Sequence, residues 1–396
     1  MRSVEQSSTS RDANPSLPRH KVLLFIPNLQ QGGAERQILE LMTKLPPRFE
    51  TALCVYEDVV HYREYLPAGE PRHVLGVRRM GPRGLARLVA VLEKERPHII
   101  HSYRDKANFW ARLAARRAGV PIVVTAVRSR AISPFHLATE WHLSKSSDRV
   151  LANSEGVRRE LIHRARVNPD KIQILHNFID LAKFHPPTEA ERQAARAQYG
   201  LADDEIALLM PGRMSLQKHQ IGLGMALRKL ARRGRLSSKV KVLLAGRRRD
   251  RVYSAVLPAT LALAGVAPYV TFLGPVPNKD MVTLYHAVDA LVLPSLWEGL
   301  PNAVLEAHAC GLPAVVSHAA NIDTLVLDGV SGFEVPTFNQ AALADALEKM
   351  LSLTVARRRE MGAHGRRHVA DHFGPERILR ETVGLYDGLL AQKGLA

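Results

Sequence analysis

The sequence predicts an α/β protein with two Rossmann-like domains, each built on a doubly wound parallel sheet, that face each other across a cleft. Short apolar runs alternate with amphipathic stretches along the chain, which is the βαβα rhythm of a parallel sheet covered by helices on both faces. A break at 183–189, which contains two prolines, divides this rhythm into two series of similar length. Ligands of such sheets bind at the carboxyl ends of the strands, so we expect the functional residues there.

The first series forms the predicted N-terminal domain, residues 21–186. It begins with the apolar run KVLLFIP at 21–27, followed by Gly32, Gly33 and a helical pattern over 34–45. Residues 1–20 are polar, and we interpret them as a flexible leader before the first strand. The other predicted elements are strands at 51–56, 97–102, 121–126, 149–153 and 172–175 and a helix at 107–118.

The second series forms the predicted C-terminal domain, residues 187–374. Its first strand is followed by a glycine turn at Gly212, in the position of a phosphate-binding loop. The last segment, residues 375–396, contains an amphipathic helix that we expect to pack back on the N-terminal domain. The predicted strands of this series lie at 205–210, 239–246, 270–274, 289–294 and 314–317.

Composition and charge limit the classes of protein that this chain can form. With 46% hydrophobic and 23% charged residues among 396, it has the balance of a globular protein, not of a disordered or coiled-coil chain. Its 55 Lys and Arg against 38 Asp and Glu residues give a net charge of +17, which favours anionic partners. No apolar run reaches the roughly 18 residues of a membrane span. Two cysteines, Cys54 and Cys310, are too few for a disulfide framework and indicate a reducing compartment.

The segment WEGLPNAVLEAHACGLPAVVS at 297–317 carries the clearest functional pattern. It follows a predicted strand, Pro301 suits a first helical turn, and Gly311 suits a helix end. Glu298 is therefore expected in a loop and Glu306 eight positions further along, on the helix. The free N–H groups of the helix start favour an anion, and the two carboxylates can accept hydrogen bonds from sugar and ribose hydroxyls.

This segment resembles the signature of the retaining glycosyltransferases of family 4, which have the GT-B fold. Other segments fit the same family in the same order, over roughly residues 21–390. They are QGGAERQILEL at 31–41, HSYRDKANFWARLAARRAGVPIVVTAVRS at 101–129, VLANSEGVRRELI at 150–162, KIQILHNFIDLAKF at 171–184 and GRMSLQKHQ at 212–220. The resemblance implies transfer of a sugar from a nucleotide-sugar donor without a metal ion, and the sequence contains no Asp-x-Asp metal motif.

The resemblance also implies roles for single residues. Arg213 and Lys218 resemble the pair that binds the donor diphosphate, where two cations neutralise the charge that develops on the leaving group. His101 resembles a first-domain histidine near the reacting sugar. The predicted catalytic residues are Glu298, His101, Lys218 and Arg213. The predicted donor-binding residues are Gly32, Gly33, Arg213, Lys218, Glu298, Gly299, Leu300, Pro301, Asn302 and Glu306, with Glu298 on the sugar and Glu306 on the ribose.

Two departures from the family pattern concern a turn and the acceptor side. Where relatives have Lys-Gly after the phosphate arginine, this chain has Lys218 and His219, so the turn is expected to differ. Where many relatives have Thr-x-His after the fourth strand, this chain reads Ala-Val-Arg-Ser at 126–129. Arg128 and Arg130 are therefore the candidate acceptor residues.

Aromatic and basic residues of the first domain predict attachment to an anionic membrane surface, on the inner, cytoplasmic face of the membrane. Apolar and cationic side chains together can dock on an anionic leaflet. The aromatic residues are Phe109, Trp110, Phe135 and Trp141, and the cations beside them on the predicted helix are Arg112, Arg116 and Arg117.

The function predicted from the sequence is that of a retaining hexosyltransferase in surface polysaccharide or glycolipid synthesis. The donor is a UDP- or GDP-linked sugar, the acceptor is a glycan or a lipid-linked glycan, and no cofactor, metal or nucleic acid is expected. Two alternatives remain. One is another nucleotide-sugar enzyme on the same fold, either an epimerase or an inverting transferase. The other is a basic nucleic-acid-binding protein, against which the basic residues are spread along the chain and form no known module.

Overall fold

A computed structural model of the protein describes residues 18–30, 32–61, 66, 69, 71–129 and 133–396. Within these ranges the first domain has a seven-stranded parallel sheet in the order β3-β2-β1-β4-β5-β6-β7. Its strands are β1 His20–Ile26, β2 Phe49–Val55, β3 Arg72–Val74, β4 Ile99–Tyr103, β5 Ile122–Val127, β6 Arg149–Ala152 and β7 Ile172–Ile174. Its helices are α1 Gly33–Lys44, α2 Pro82–Glu95, α3 Asp105–Ala118, α4 Pro134–Leu143 and α5 Glu155–His163.

The second domain repeats this arrangement with a six-stranded parallel sheet in the order β10-β9-β8-β11-β12-β13, as far as the described residues go. Its strands are β8 Ile206–Pro211, β9 Val240–Ala245, β10 Val270–Gly274, β11 Ala290–Leu293, β12 Ala314–Ser317 and β13 Gly332–Val335. The helices that follow the first domain are α6 Glu189–Gln198, α7 Gln220–Arg232, α8 Arg251–Leu263, α9 Met281–Ala287, α10 Asn302–Ala309, α11 Gln340–Ser352, α12 Val355–Phe373 and α13 Pro375–Gln392.

Central strands of both sheets are apolar on both faces, as expected for parallel sheets covered by helices. In β1, residues 22–26 are all 0% exposed, and β11 is equally buried. In each sheet the chain reverses its direction of strand addition between the first strand and the fourth, which is the strand order of a Rossmann-like domain. The prediction of two such domains is confirmed.

The last helix, α13, packs on the sheet of the first domain although it follows the second domain in the chain. Its Tyr386 ring lies 5.5 Å from the Phe49 ring. An ion pair of 2.6 Å joins Arg48 to Asp387 on the same helix. The C-terminal residues therefore cross back over the domain boundary and contribute apolar surface to the first core.

The predicted strands agree with the observed ones apart from one or two residues at their ends, but β3 and β13 were not predicted. β3 has three residues and lies at the edge of its sheet, where its side chains are exposed or half-buried. β13 reads GFEV, too short for a clear apolar pattern. Among the helices of the described residues, none has the length and apolarity needed to cross a bilayer. The predicted leader at 1–20 lies largely outside the described residues.

Candidate functional site

The loop between β11 and α10 places the first acidic residue of the predicted signature. Pro301 is the residue that precedes the helix, with a φ of −78°, and α10 starts at Asn302. Glu298 is 7% exposed in the middle of the loop, and the nearby Leu300 side chain is part of the second-domain core. Gly311, with a φ of +73°, follows the helix end. The loop therefore places a buried Glu298 beyond the carboxyl end of β11, next to the packed Leu300 side chain.

A buried ion pair joins this loop to the loop after β8. The Lys218 Nζ atom lies 2.6 Å from Glu298 Oε1, with side chains 13% and 9% exposed. Two hydrogen bonds run in parallel with the pair, from Gln217 Nε2 to the Trp297 carbonyl at 2.9 Å and from the Leu296 N–H to the Gln217 carbonyl at 2.8 Å. The structure thus brings together two of the four predicted catalytic residues, from loops 80 positions apart.

Arg213 lies on the same loop, between Gly212 and the one-turn helix Leu216–Lys218. Its carbonyl accepts hydrogen bonds from Gln220 Nε2 at 3.0 Å and from Ser215 Oγ at 3.4 Å, which hold its backbone. The side chain is half-buried. Gly212 has a φ of +137°, and a Cβ there would lie 2.9 Å from Lys218 Cε. Glycine is therefore required for Lys218 to fold back beside this strand end.

The turn with His219 in place of glycine adopts the conformation that a glycine would take. His219 has φ and ψ of 60° and 40°, in the left-handed region, and α7 begins at the next residue. Its ring lies on Gly222, where a Cβ would be 2.1 Å from the ring atoms. The ring also lies 5.1 Å from the Phe338 ring. A left-handed non-glycine residue costs about 1 kcal/mol, and the His219 ring packs against Gly222 and Phe338 in this conformation.

Gly33 of the first domain permits close approach of the second domain, whereas Gly32 faces a side chain of its own domain. A Cβ at Gly33 would lie 2.5 Å from Asn302 Nδ2, and a Cβ at Gly32 would lie 2.3 Å from Glu35 Oε2. Glu35 forms an ion pair of 2.8 Å with Arg104. Burial raises the pKa of this carboxyl, and Arg104 opposes that shift. The start of α1 therefore contacts the start of α10, and a contact of Gly32 and Gly33 with the donor stays a prediction.

Arg128 lies directly opposite the Glu298 loop. A Cβ at Gly299 would lie 2.4 Å from the Arg128 carbonyl oxygen. The Arg128 side chain donates to Asn177 Oδ1, and Asn177 Nδ2 donates to Asn302 Oδ1 at 2.6 Å. Its guanidinium carbon lies 4.7 Å from the centre of the Tyr103 ring. The hydrogen-bonded series from Arg128 to Asn302 joins the two domains, while the other acceptor candidate, Arg130, lies outside the described residues.

His101 is placed inside the first domain. It is 0% exposed, and its Nδ1 lies 2.7 Å from the hydroxyl of Tyr386 on α13. Its ring stacks on Tyr103, with 4.5 Å between the ring centres. Burial, with a smaller contribution from Arg128, lowers its pKa to about 3, so the ring is neutral at physiological pH. A direct donor contact by His101 stays a prediction, because packing covers the ring in this structure.

Glu306 is held from both domains. Its Oε1 lies 2.5 Å from Arg36 Nη1 of α1, and its Oε2 accepts a hydrogen bond of 2.7 Å from the Tyr285 hydroxyl. Neither Arg36 nor Tyr285 was singled out from the sequence. Tyr285 lies in the short, mostly apolar helix α9, and Arg36 lies in the GGAER segment, in which only the glycines point to a ligand from the sequence. Asn177, in the quoted HNF segment, was also missed.

The predicted membrane-facing surface differs from expectation at Arg112. This arginine is 1% exposed and pairs with Glu140 at 2.6 Å, so it holds α3 against α4 and contributes no surface charge. For Arg112 the prediction is wrong, because the helix face that carries this residue packs against α4. Phe135 and Trp141 on α4 are 63% and 46% exposed.

Within the described ranges, no three His, Cys, Asp or Glu side chains lie close enough together to bind a metal ion.

Both halves of the chain match sequence profiles of glycosyltransferases. Residues 191–368 match the sequence profile described as glycosyl transferases group 1, and residues 31–183 match the one described as glycosyltransferase family 4. A D-inositol 3-phosphate glycosyltransferase of Geodermatophilus obscurus is 29% identical over 389 residues, which cover 90% of this chain and 84% of that protein. The Mycobacterium bovis protein of the same name is 29% identical over 303 residues, 72% of this chain and 61% of that protein.

Solved structures show the same fold. The crystal structure of Anabaena HepE in complex with UDP and glucose has a TM-score of 0.82 at 19% identity, covering 93% of this chain and 100% of that one. The sucrose-phosphate synthase of Thermosynechococcus elongatus has a TM-score of 0.78 at 20% identity, covering 94% and 100%. These neighbours are GT-B glycosyltransferases, and the predicted GT-B fold is confirmed.

Proposed function

The chain belongs to glycosyltransferase family 4, the glycosyl transferases of group 1, and on that basis we propose a retaining, metal-independent hexosyltransferase that uses a nucleotide-sugar donor. The observation that carries this proposal is the Lys218–Glu298 pair of 2.6 Å, next to Arg213 at the strand ends of the second domain. A paired cation and carboxylate at this edge match the two needs of the donor, a partner for phosphate and a partner for sugar hydroxyls.

The donor diphosphate binds Arg213 and Lys218 in this proposal, and the transferred sugar binds Glu298. Lys218 exchanges its bond with Glu298 for a phosphate oxygen, which frees a Glu298 oxygen for a sugar hydroxyl. The two cations then stabilise the negative charge that develops on the leaving nucleoside diphosphate, in a site from which water is excluded. The loop residues Gly299, Leu300, Pro301 and Asn302 shape this site, and Glu306 accepts hydrogen bonds from the ribose.

Retention follows from attack on the face that the leaving group departs from. The bond from the anomeric carbon to the phosphate oxygen breaks, the acceptor oxygen bonds to the same face, and the acceptor proton passes to a phosphate oxygen of the leaving diphosphate. All bonds and protons of this step are accounted for by the donor and the acceptor, so the step uses no cofactor. A UDP-linked sugar is our first choice of donor, since fold neighbours were solved with UDP and UDP-glucose, and a GDP-linked sugar is the second.

The acceptor side supports a glycan or lipid-linked acceptor that carries an anionic group, in surface polysaccharide or glycolipid synthesis. Arg128 forms no ion pair with a described residue. The Glu35 carboxylate is paired with another arginine, Arg104. Burial lowers the pKa of Arg128, which reflects the cost of a buried cation that lacks a close carboxylate. A phosphate or carboxylate of the acceptor would compensate this charge.

We also propose peripheral attachment to the inner, cytoplasmic face of a membrane through α4. Its exposed Phe135 and Trp141 lie beside Phe109, 6.2 Å from Phe135, and Arg166, 5.4 Å from the Trp141 ring. Vesicles of neutral lipid, with and without 30% anionic lipid, test this in a co-sedimentation assay. We expect binding only to the anionic vesicles, with loss in the variant Phe135→Ser and Trp141→Ser. Equal binding to both vesicle types contradicts the proposal.

A thermal-shift screen followed by turnover tests the enzyme activity. UDP or GDP should raise the melting temperature of the wild-type protein by mass action, and Arg213→Ala and Lys218→Ala should remove that shift. With donor and acceptor present, Lys218→Ala and Glu298→Ala should lower turnover about 100-fold or more. Near-wild-type turnover in both variants at saturating donor contradicts the proposal. The anomeric configuration of the product, read by NMR, separates retention from inversion, and donor conversion without acceptor would indicate an epimerase.

A further inference from the structure

We infer that Arg36 and Tyr285 are positioning residues that hold the Glu306 carboxylate in the orientation that binds the ribose of the nucleotide. The inference rests on the function proposed above and adds residues from outside the signature segment. Arg36 belongs to the first domain and Tyr285 to the second, so the ribose-binding carboxylate is oriented from both sides of the cleft.

Each oxygen of the Glu306 carboxylate has its own donor. Arg36 Nη1 lies 2.5 Å from Oε1, and the Tyr285 hydroxyl donates to Oε2 at 2.7 Å. Burial and the adjacent Glu306 charge raise the pKa of Tyr285 well above its usual range, so this hydroxyl keeps the proton that it donates. A carboxylate oxygen has two lone pairs, so each oxygen can still accept one ribose hydroxyl. The two hydrogen-bond donors stop rotation of the carboxylate and leave one lone pair on each of its oxygens for a ribose hydroxyl.

Arg36 is itself held in place by α1 and the segment between the domains. Its side chain is 3% exposed, and its guanidinium carbon lies 5.4 Å from the centre of the Phe184 ring. The next residue, Gln37, accepts from the N–H of Phe178 at 2.9 Å and donates to its carbonyl at 2.8 Å. These bonds fix α1 against the interdomain segment, and they aim Arg36 at α10 of the other domain.

A fixed carboxylate binds a vicinal diol more tightly than a mobile one, because no rotational freedom is lost when the ribose arrives. Removal of the hydrogen bond from Arg36 or from Tyr285 lets the carboxylate rotate. The resulting loss of affinity should affect only nucleotides that have ribose hydroxyls. This expectation separates a positioning role from a general structural one. A loss of fold or of domain contact would weaken the binding of every nucleotide to the same degree.

The experiment compares two nucleotides that differ only in those hydroxyls. Dissociation constants for UDP and 2′,3′-dideoxy-UDP are measured by calorimetry, or for the GDP pair if the screen selects GDP. In the wild type we expect UDP to bind at least about 10-fold more tightly than the dideoxy form. Arg36→Lys and Tyr285→Phe should each remove most of this ratio, and the constant for the dideoxy nucleotide should stay within about twofold.

Two further variants calibrate the result. Glu306→Gln should remove the ratio as completely as the positioning variants do. Arg233→Lys alters an ion pair of 2.6 Å with Asp345, in the same domain as Tyr285, and should leave both constants unchanged. Arg36→Lys retains the charge at this buried site and Tyr285→Phe retains the ring, and circular dichroism verifies that each variant is folded.

The possible failures are distinguishable. Equal weakening of both nucleotides in Arg36→Lys and Tyr285→Phe would assign these residues to structure alone and overturn the inference. A ratio that is lost in Glu306→Gln but kept in both positioning variants would also overturn it, with the proposed donor site intact. A wild-type protein that binds no nucleoside diphosphate would refute the proposed function, and the inference with it.

Discussion

The carboxyl ends of the two sheets face each other, but they hold their polar groups in different ways. In the second domain, Lys218 and Glu298 lie in loops beyond the strand ends and pair directly with each other at 2.6 Å. In the first domain, His101 lies within β4 and bonds to Tyr386, 285 positions away in the sequence. A residue in a loop after a strand is placed by its neighbours in the chain. A residue inside a strand is placed by whatever covers that face of the sheet.

Side-chain alternation explains the difference at His101. Successive residues of a strand point to opposite faces, so Ile99, His101 and Tyr103 share one face. Ile99 and Tyr103 belong to the apolar core that α13 completes, whereas Ile100 belongs to the core on the other face. His101 is therefore turned toward α13. The strand position visible in the sequence is correct, but the environment depends on a helix from the far end of the chain.

The largest effect is expected where the two regions meet, at Gly299. Gly299→Ala would place a Cβ 2.4 Å from the backbone oxygen of Arg128, which cannot move without shifting β5. Separation of the domains by about 1 Å should lower kcat/KM about 100-fold, because donor and acceptor would be misaligned. Steady-state kinetics with nucleotide-sugar donor measure this.

A matched control for that substitution lies on α13. Gly384 has open space around it, and Gly384→Ala should leave kcat/KM unchanged while stabilising the helix by about 0.5 to 1 kcal/mol. If Gly299→Ala retained wild-type kcat/KM, the close contact between the regions would have no part in turnover.

A second prediction tests local placement in the second domain. Gly222→Ala should destabilise the wild-type protein by about 2 kcal/mol, because the new Cβ would lie 2.1 Å from the His219 ring. In a His219→Gly background the same change should be neutral or stabilising, since alanine favours a helix over glycine. Urea unfolding of the four proteins gives the coupling energy of this double-mutant cycle. Additive effects would show that the turn does not depend on this contact.

A third prediction tests distant placement in the first domain through pH. The pKa of His101 is about 3 in the folded protein and near 6.5 in the unfolded chain. Between these values the unfolded state binds more protons, so the free energy of unfolding falls as pH falls. Relative to His101→Gln, the wild type should lose about 2 kcal/mol of stability between pH 7.5 and pH 5.

Urea unfolding of both proteins at both pH values measures this loss. His142→Gln, at an exposed position of α4, serves as control and should change in parallel with the wild type. An equal change in the free energy of unfolding in His101→Gln and in the wild type would mean that the His101 ring is accessible to solvent. It would then support a position of His101 in the cleft.

The sequence was sufficient for the features that repeat along the chain or lie within one segment. The alternation of apolar runs predicted both sheets, because a parallel strand buried on both faces reads as a continuous apolar run. The loop with Glu298 and the helix with Glu306 follow from Pro301 and Gly311, which act on their immediate neighbours. The short edge strand β3 escaped notice because three half-exposed residues leave no pattern.

The candidate site was predicted less completely on the first-domain side, for the same physical reason. Arg36 and Arg112 are both helix-borne arginines in a chain of net charge +17, and nothing local distinguishes them from solvated cations. Both are nearly inaccessible in the structure, one paired with Glu306 and the other with Glu140. Their partners lie 270 and 28 positions away.

The sequence by itself determined the fold class, the two-domain rhythm and the signature loop of the second domain. These depend on interactions between residues close together in the chain, such as helix ends, strand hydrophobicity and tight turns. Only the tertiary structure decided that His101 lies under α13, that Arg128 touches Gly299 and that Arg36 reaches Glu306. Those contacts depend on how two separately folded sheets and a returning helix pack, because burial turns an ordinary polar side chain into one that must find a specific partner.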